Sequence, residues 1–219
     1  MCKIYQLFDL EKSLAGKYLS CYDYPWEALE GIGAFIRGLG NYLDTEEYFS
    51  PSRGVWLHRT VEIDPTARID SPCILGAGTK VRHGAFIRGN VLVGENCVIG
   101  NSTELKNSIL FDGAKAPHFN YVGDSILGFN AHLGAGAITS NVKSDGGLVT
   151  VKLGEMRMDT GRRKVGAFVG DFAEIGCNSV LNPGTVIGKN TMVYPLSSVR
   201  GSVAENCIYK SCDCVEKRR

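Results

Sequence analysis

The sequence predicts an all-β solenoid: a parallel β-helix of hexapeptide repeats with a short N-terminal helical cap and an inserted β-hairpin. Three observations predict it. Aliphatic residues recur at every sixth position from Ile63 through Ile69, Leu75, Val81, Ile87, Val93 and Ile99 to Leu105. Four residues after most of them stands a second small or apolar residue, as at Ala67, Cys73, Thr79, Ala85, Val91, Cys97 and Thr103. The ladder then returns in register at Val169, Ile175, Leu181, Ile187, Val193 and Val199. Neither a helix of period 3.6 nor a pleated strand of period 2 yields a strict six. A coil of three short strands per turn does, because each aliphatic then points inward from one flat face. A sandwich of accidentally spaced strands would not hold two uninterrupted runs in register.

The elements follow in order. Residues 1–50 show no hexads, but Trp26, Leu29, Ile32, Phe35 or Ile36, and Leu39 form a helical stripe between Pro25 and Leu43. Pro25 suits a first turn and Gly40 an end. Gly31, Gly33 and Gly38 cost such a helix about 1 kcal/mol each relative to alanine, so packing must hold it. Closing the open first coil is the role this segment is expected to play. Residues 51–200 form the β-helix. Between its two regular runs the ladder continues through Leu110, Ala116, Val122, Leu127, Leu133 and Thr139, with two steps shortened to five. Residues 142–164 interrupt it: Val149, Val151 and Leu153 alternate with polar residues and Gly154 turns the chain, which reads as a protruding hairpin. Residues 201–219 leave the period as a C-terminal tail.

Composition narrows the function classes. The chain has 219 residues and a net charge of +1, which implies no nucleic-acid or membrane field. Its apolar runs are too short to span a bilayer, and the N-terminus lacks a signal-peptide core. Of eight cysteines, Cys73 and Cys97 occupy inward positions, and Cys207, Cys212 and Cys214 lack zinc-ligand spacing. A reduced, cytoplasmic protein is expected.

Two places carry chemistry. Arg88 and Lys106 lie eighteen residues apart, one full turn, so they stack on adjacent coils about 4.8 Å apart. Stacked like charges are unfavourable unless an anion sits between them or the side chains splay into solvent. The second place is Lys115-Ala-Pro-His-Phe-Asn-Tyr-Val-Gly-Asp124, followed by Leu133-Gly-Ala-Gly-Ala-Ile-Thr-Ser-Asn141. These runs resemble the Lys-Ala-x-His-x-x-Tyr-x-Gly-Asp and Ile-Gly-Ala-Gly-Thr-Ile-Thr-x-Asn segments of one family. That family is the acetyltransferase half of the bifunctional N-acetylglucosamine-1-phosphate uridyltransferases. Pro-His-Phe-Asn-Tyr and Asp-Thr-Gly-Arg-Arg-Lys164 lean toward the archaeal sugar-1-phosphate branch, and the motif order holds from about Ile63 to Val199.

The resemblance implies a left-handed coil, a homotrimer and acetyl-CoA as co-substrate, with no tightly bound cofactor. It places His118 on the catalytic base, Arg88 and Lys106 on phosphate contacts, and Tyr121 and Asn141 on amino-sugar contacts. Ala135 falls on the acetyl-CoA groove. Arg162, Arg163 and Lys164, at the hairpin base, are expected to meet substrate or coenzyme phosphates. Two departures touch substrate choice: Val142 stands where the family has Tyr, and Gly147 and Thr150 where the archaeal branch has lysines. No Gly-rich nucleotidyltransferase loop is present, so only acyl transfer is expected.

The expected reaction moves an acetyl group from acetyl-CoA to the amine of a phosphorylated amino sugar. An ammonium cannot attack a thioester, so a base is needed, and histidine side chains suit neutral pH. Two rivals remain open on the sequence. One is a metal lyase resembling the hexapeptide-repeat carbonic anhydrases, built on His83 and His118, which share a phase two coils apart. Its third-ligand position carries Val122, and no metal is expected. The other is a non-catalytic scaffold.

Overall fold

The computed structural model describes residues 2–212 and 214–218. It is the left-handed parallel β-helix, with three flat faces per turn. On the first face Leu57, Leu75, Val93, Leu110, Leu127, Val169, Ile187 and Val203 stack in parallel register. The second face stacks Ile63, Val81, Ile99 and Ala116, then Leu133, Ile175, Val193 and Tyr209. On the third are Ile69, Ile87, Leu105, Val122, Thr139, Leu181 and Val199. These residues, with Cys73, Cys97 and the inward alanines, make one continuous core. Burial pushes the Cys97 thiol up to about 12 and Cys73 well above its ordinary range, which leaves both inert.

The two five-residue steps fall on adjacent coils at the same corner. There Glu104–Leu110 and Tyr121–Leu127 run unbroken from the third face to the first, pairing Lys106 with Gly123 and Ser108 with Ser125. Asn107 and Asp124 make the bend at φ 47° and 48°. Asn and Asp are the ordinary L-residues that tolerate this left-handed region.

Residues 2–47 do not close the open first coil but lie along the first face; only the strand that follows them, Tyr48–Ser52, pairs antiparallel with Val55–His58 and covers that coil's open edge. Short helices at Ile4–Leu7 and Gly16–Leu19 precede a 3₁₀ turn, Ala28–Glu30, and the helix Ile32–Gly40. The reason is an outward apolar row, Ile74, Leu92, Ile109, Ile126, Phe168 and Val186, which forms one buried cluster with Leu29, Ile32 and Ile36. Three fully buried aliphatic side chains, at about 1.5–3 kcal/mol each, outweigh the glycines' cost of about 1 kcal/mol each. Two glycines of this helix also permit the contact: a Cβ on Gly33 would strike Asn90, and one on Gly40 the ring of Trp56.

Two further expectations are corrected. The hairpin, Thr150–Leu153 with Met156–Asp159, does not stand out from the coil. Val149 and Val151 join the outer cluster with Val186, and Ser202 Oγ donates to the Lys152 carbonyl at 2.8 Å, so its first strand lies down on the lower coils. The coil also continues beyond residue 200. Ser202–Val203 and Cys207–Ser211 add two rungs, and the chain then turns back as Cys214–Lys217. The step from Val199 to Val203 spans four residues through Gly201 at φ 79°, which hides the continuation from a period of six.

Candidate active site

On the third face each inward residue is flanked by two outward ones. The row that follows the inward residue runs Asp70, Arg88, Lys106, Gly123, Ser140, Asn182 and Arg200. Arg88 and Lys106 are thus stacked neighbours, as expected. Each also has a carboxylate: Arg88 Nη1 donates to Glu104 Oε1 at 2.8 Å, and Lys106 Nζ to Asp124 Oδ2 at 3.3 Å. The Glu104 hydrogen bond, then its charge, holds the Arg88 guanidinium above its ordinary pKa. The like-charge stack is therefore relieved within the chain, and both side chains keep further N–H donors for a ligand.

Asp124 is the hub of the corner. It is 4 % exposed. Oδ1 accepts from Asn107 Nδ2 at 2.9 Å, and Oδ2 accepts from Asn141 Nδ2 at 2.6 Å as well as from Lys106. Asn107 Nδ2 also reaches the Leu29 carbonyl at 3.2 Å, tying the N-terminal segment to this corner. Asn141 Nδ2 donates in addition to the Tyr121 hydroxyl at 3.2 Å. Both amide hydrogens are thereby used, so the free polar atom of Asn141 is Oδ1, an acceptor. Burial, then the charges of Asp124 and Glu104, raises the Tyr121 pKa, so its phenol stays protonated and its O–H is left to donate outward. The pair offers a ligand one donor and one acceptor side by side.

His118 ends the strand Lys115–His118 on the second face, three residues before Tyr121. Buried Asn120 fixes the corner between them. Its Oδ1 accepts from the His118 N–H at 3.0 Å, while Nδ2 donates to the carbonyls of Gly134 and Ala137 at 2.8 and 3.1 Å. The imidazole itself is exposed and bonds no other described residue. Its carbonyl accepts from Gly136 N at 3.0 Å, which sets His118 one coil above half-buried Ala135. His83 does share the phase, two coils up, with Asn101 between. Its Nδ1 lies 2.7 Å from Thr66 Oγ1, turned toward the first coil, and Val122 is buried in the core.

The basic run at the base of the insertion divides. Arg162 Nη1 is paired with Glu30 Oε2 at 3.1 Å, pinning the insertion to the helical segment. Arg163 and Lys164 are exposed, and Lys164 bridges Val142 through the backbone. Sequence reasoning missed Asp124, Glu104, Asn107 and Asn120. Two of them leave a signal: Asp124 ends the Tyr-x-Gly-Asp motif, and Asn120 stands within Pro-His-Phe-Asn-Tyr.

The coil and its repeated inward ladder define a hexapeptide-repeat β-helix, with a polar corner built around one buried carboxylate. In sequence the chain is related to the bifunctional sugar-1-phosphate nucleotidylyltransferase/acetyltransferases. It is 31 % identical over 195 residues to the enzyme so described from Sulfurisphaera tokodaii, covering 89 % of this chain and 48 % of that one. To the bifunctional protein GlmU of Methanococcus maripaludis it is 36 % identical over 132 residues, 60 % of this chain and 32 % of that one. The chain thus spans about half, or less, of the length of the curated relatives it matches. A family model for the GMPPB C-terminal domain matches residues 69–156. Among solved structures, a perosamine N-acetyltransferase from Caulobacter crescentus, in complex with CoA and GDP-perosamine, aligns with a TM-score of 0.39. It is 18 % identical and is matched over 74 % of this chain and 55 % of its own. The polySia-specific acetyltransferase NeuO aligns with a TM-score of 0.46 at 13 % identity, over 75 % and 83 %.

Proposed function

We propose that the chain is an acetyl-CoA-dependent N-acetyltransferase acting on a phosphorylated amino sugar, either a hexosamine 1-phosphate or a nucleotide-linked relative. The observation that carries this reading is the locked Tyr121–Asn141 pair, one corner along the coil from His118. A phenolic donor suits a sugar oxygen, and a lone amide oxygen suits the N–H of the attacking amine. His118 takes the proton from the substrate ammonium. That proton passes to solvent; as the amine nitrogen bonds the thioester carbon, His118 takes a second proton from it and gives this one to sulfur when the C–S bond breaks, releasing the amide and CoA as its thiol. Ala135, one coil below, leaves room for the acyl arm. The sequence relationship to nucleotidylyltransferase/acetyltransferases supports the same chemistry. The test is thiol release from acetyl-CoA with a panel of amino sugars, free, phosphorylated and nucleotide-linked. Turnover with a phosphorylated member is expected, and no turnover with any amino sugar would overturn the reading.

Arg88 and Lys106 would hold the phosphate. Arg88→Ala and Lys106→Ala should each raise KM for the phosphorylated sugar by roughly 10–150-fold, the worth of one charge-assisted contact at about 1.5–3 kcal/mol. KM for acetyl-CoA should hardly move. Equal effects on both substrates would make the pair structural.

A homotrimer completes the site in this reading. Phe119 and Leu196 occupy one corner of the coil at φ 51° and 59° and are 60 % and 80 % exposed. Bulky residues in the left-handed region are strained, and other turns of this corner use Gly84, Ser102, Gly136 and Asn178. Strained apolar side chains left in water, one of them adjacent to His118, fit an interface that covers them. Light scattering at micromolar concentration should give three times the chain mass, 23.7 kDa; a fully active monomer would refute the assembly. A cytoplasmic location accords with the free cysteines. No helix among the described residues is long and apolar enough to cross a membrane.

A further inference from the structure

Below the candidate site, the insertion and the coil line a cavity of about 360 Å³. It begins at Ser140, next to Asn141, and follows the same outward row through Asn182 to Arg200. Lys143 and Lys152 of the insertion form its other wall. Their placement is fixed by packing: Ser202 Oγ holds the Lys152 carbonyl, and a Cβ on Gly201 would meet the Lys152 Cβ at 3.3 Å. Lys152 is thereby held over the corner that carries Arg200.

The charges of the two ends of this row differ. Arg88 and Lys106 are each matched by a carboxylate. In the lower cavity Asp145 pairs with Lys143 at 3.0 Å. Lys152 and Arg200 have no carboxylate partner among the described residues, so the cavity carries two uncompensated positive charges. Hydroxyls of Ser140, Ser144 and Thr150 line it as well. Two cations across a gap with neutral donors around them suit a dianion that spans the gap, and the Arg fork favours phosphate oxygens. Nucleic acid is a poor fit, since the chain as a whole is only +1.

We propose that this cavity binds a diphosphate group, held by Lys152 and Arg200. From Lys106 to Arg200 the row spans four coil steps, about 19 Å at the strand spacing. The diphosphate subsite is therefore distinct from the one assigned to the sugar phosphate. Two ligands carry this chemistry: a nucleoside diphosphate and coenzyme A. The assignment rests on the cavity and its charges and does not require the acetyl-transfer reading.

The test is titration calorimetry with inorganic pyrophosphate, UDP and coenzyme A, using wild-type protein and the Lys152→Gln/Arg200→Gln double variant. Both side chains are exposed, so the variant should fold, with thermal unfolding as the check. Wild-type protein should bind pyrophosphate, and the double variant should bind it about 100-fold or more weakly. The larger ligand whose affinity falls by a similar factor is the source of the diphosphate. No pyrophosphate binding by wild-type protein would overturn the proposal. So would equal binding by both proteins, or loss of pyrophosphate binding on Arg88→Ala instead. Failure of acetyl transfer would leave these titrations unchanged, so the two readings fail separately.

Discussion

His118→Ala should lower kcat by about 10²–10⁴ while leaving both substrate affinities and the assembly nearly intact. The side chain is exposed, and the backbone bonds that hold it, from His118 N to Asn120 and from Gly136 N to the His118 carbonyl, survive truncation. No core cavity opens. If the imidazole is the general base, kcat/KM of the wild type should rise with pH as that group loses its proton, and the rise should vanish in the variant. His83→Ala is the internal control. It removes only exposed contacts, to Thr66 and to the Asp64 carboxylate at 3.9 Å, and should be nearly silent. Loss of activity in both histidine variants would reject His118 as base, and metal analysis of the wild-type protein would then decide whether a shared metal replaces it. A His118→Ala enzyme with unchanged kcat would reject the base outright.

Much of this site was legible because a solenoid converts sequence spacing directly into distance. The ladder from Ile63 to Leu105 places Arg88 over Lys106, and the structure keeps that stack. The inward residues, including Cys73 and Cys97, also lie where the period puts them. What escaped lies off the period. Glu104 and Asp124 neutralise the two cations, and a hexad count says nothing about which polar side chain turns toward which neighbour. Asp124 becomes a hub only because the corner is one residue short and bends at positive φ, a property of the backbone. The side-on packing of residues 2–47 had a readable trace: the middle residue of each first-face strand, from Ile74 to Val186, is apolar though it points outward. A strand apolar on both sides is covered on both sides. A helical stripe seeks whatever apolar surface is on offer, and here the long side wall exceeds the open end.

Asp124→Asn should both destabilise the protein and impair sugar binding. The new amide offers one oxygen where the carboxylate supplied two, so its NH₂ must face a donor, either Asn107 or Asn141, and Lys106 loses its counter-charge. Breaking a buried, charged hydrogen-bond set of this kind costs about 2–4 kcal/mol. The melting temperature should fall, and KM for the sugar should rise more than KM for acetyl-CoA, because Asn141 is then free to rotate its acceptor away. A structural role alone would move the first quantity and not the second. The swap Asp124→Asn with Asn141→Asp separates the two further. In it the amide introduced at position 124 accepts from Asn107 and donates to the carboxylate introduced at position 141. Each buried donor again has an acceptor, and much of the lost stability should return. Catalysis should not. A carboxylate at position 141 holds the substrate amine as an ammonium, which raises its pKa and leaves less of the neutral nucleophile. Thermal unfolding and initial-rate kinetics on the two single variants, the swap and wild type close the cycle. The hub is purely structural if the swap restores kcat together with stability, and it is no hub at all if Asp124→Asn melts with the wild type.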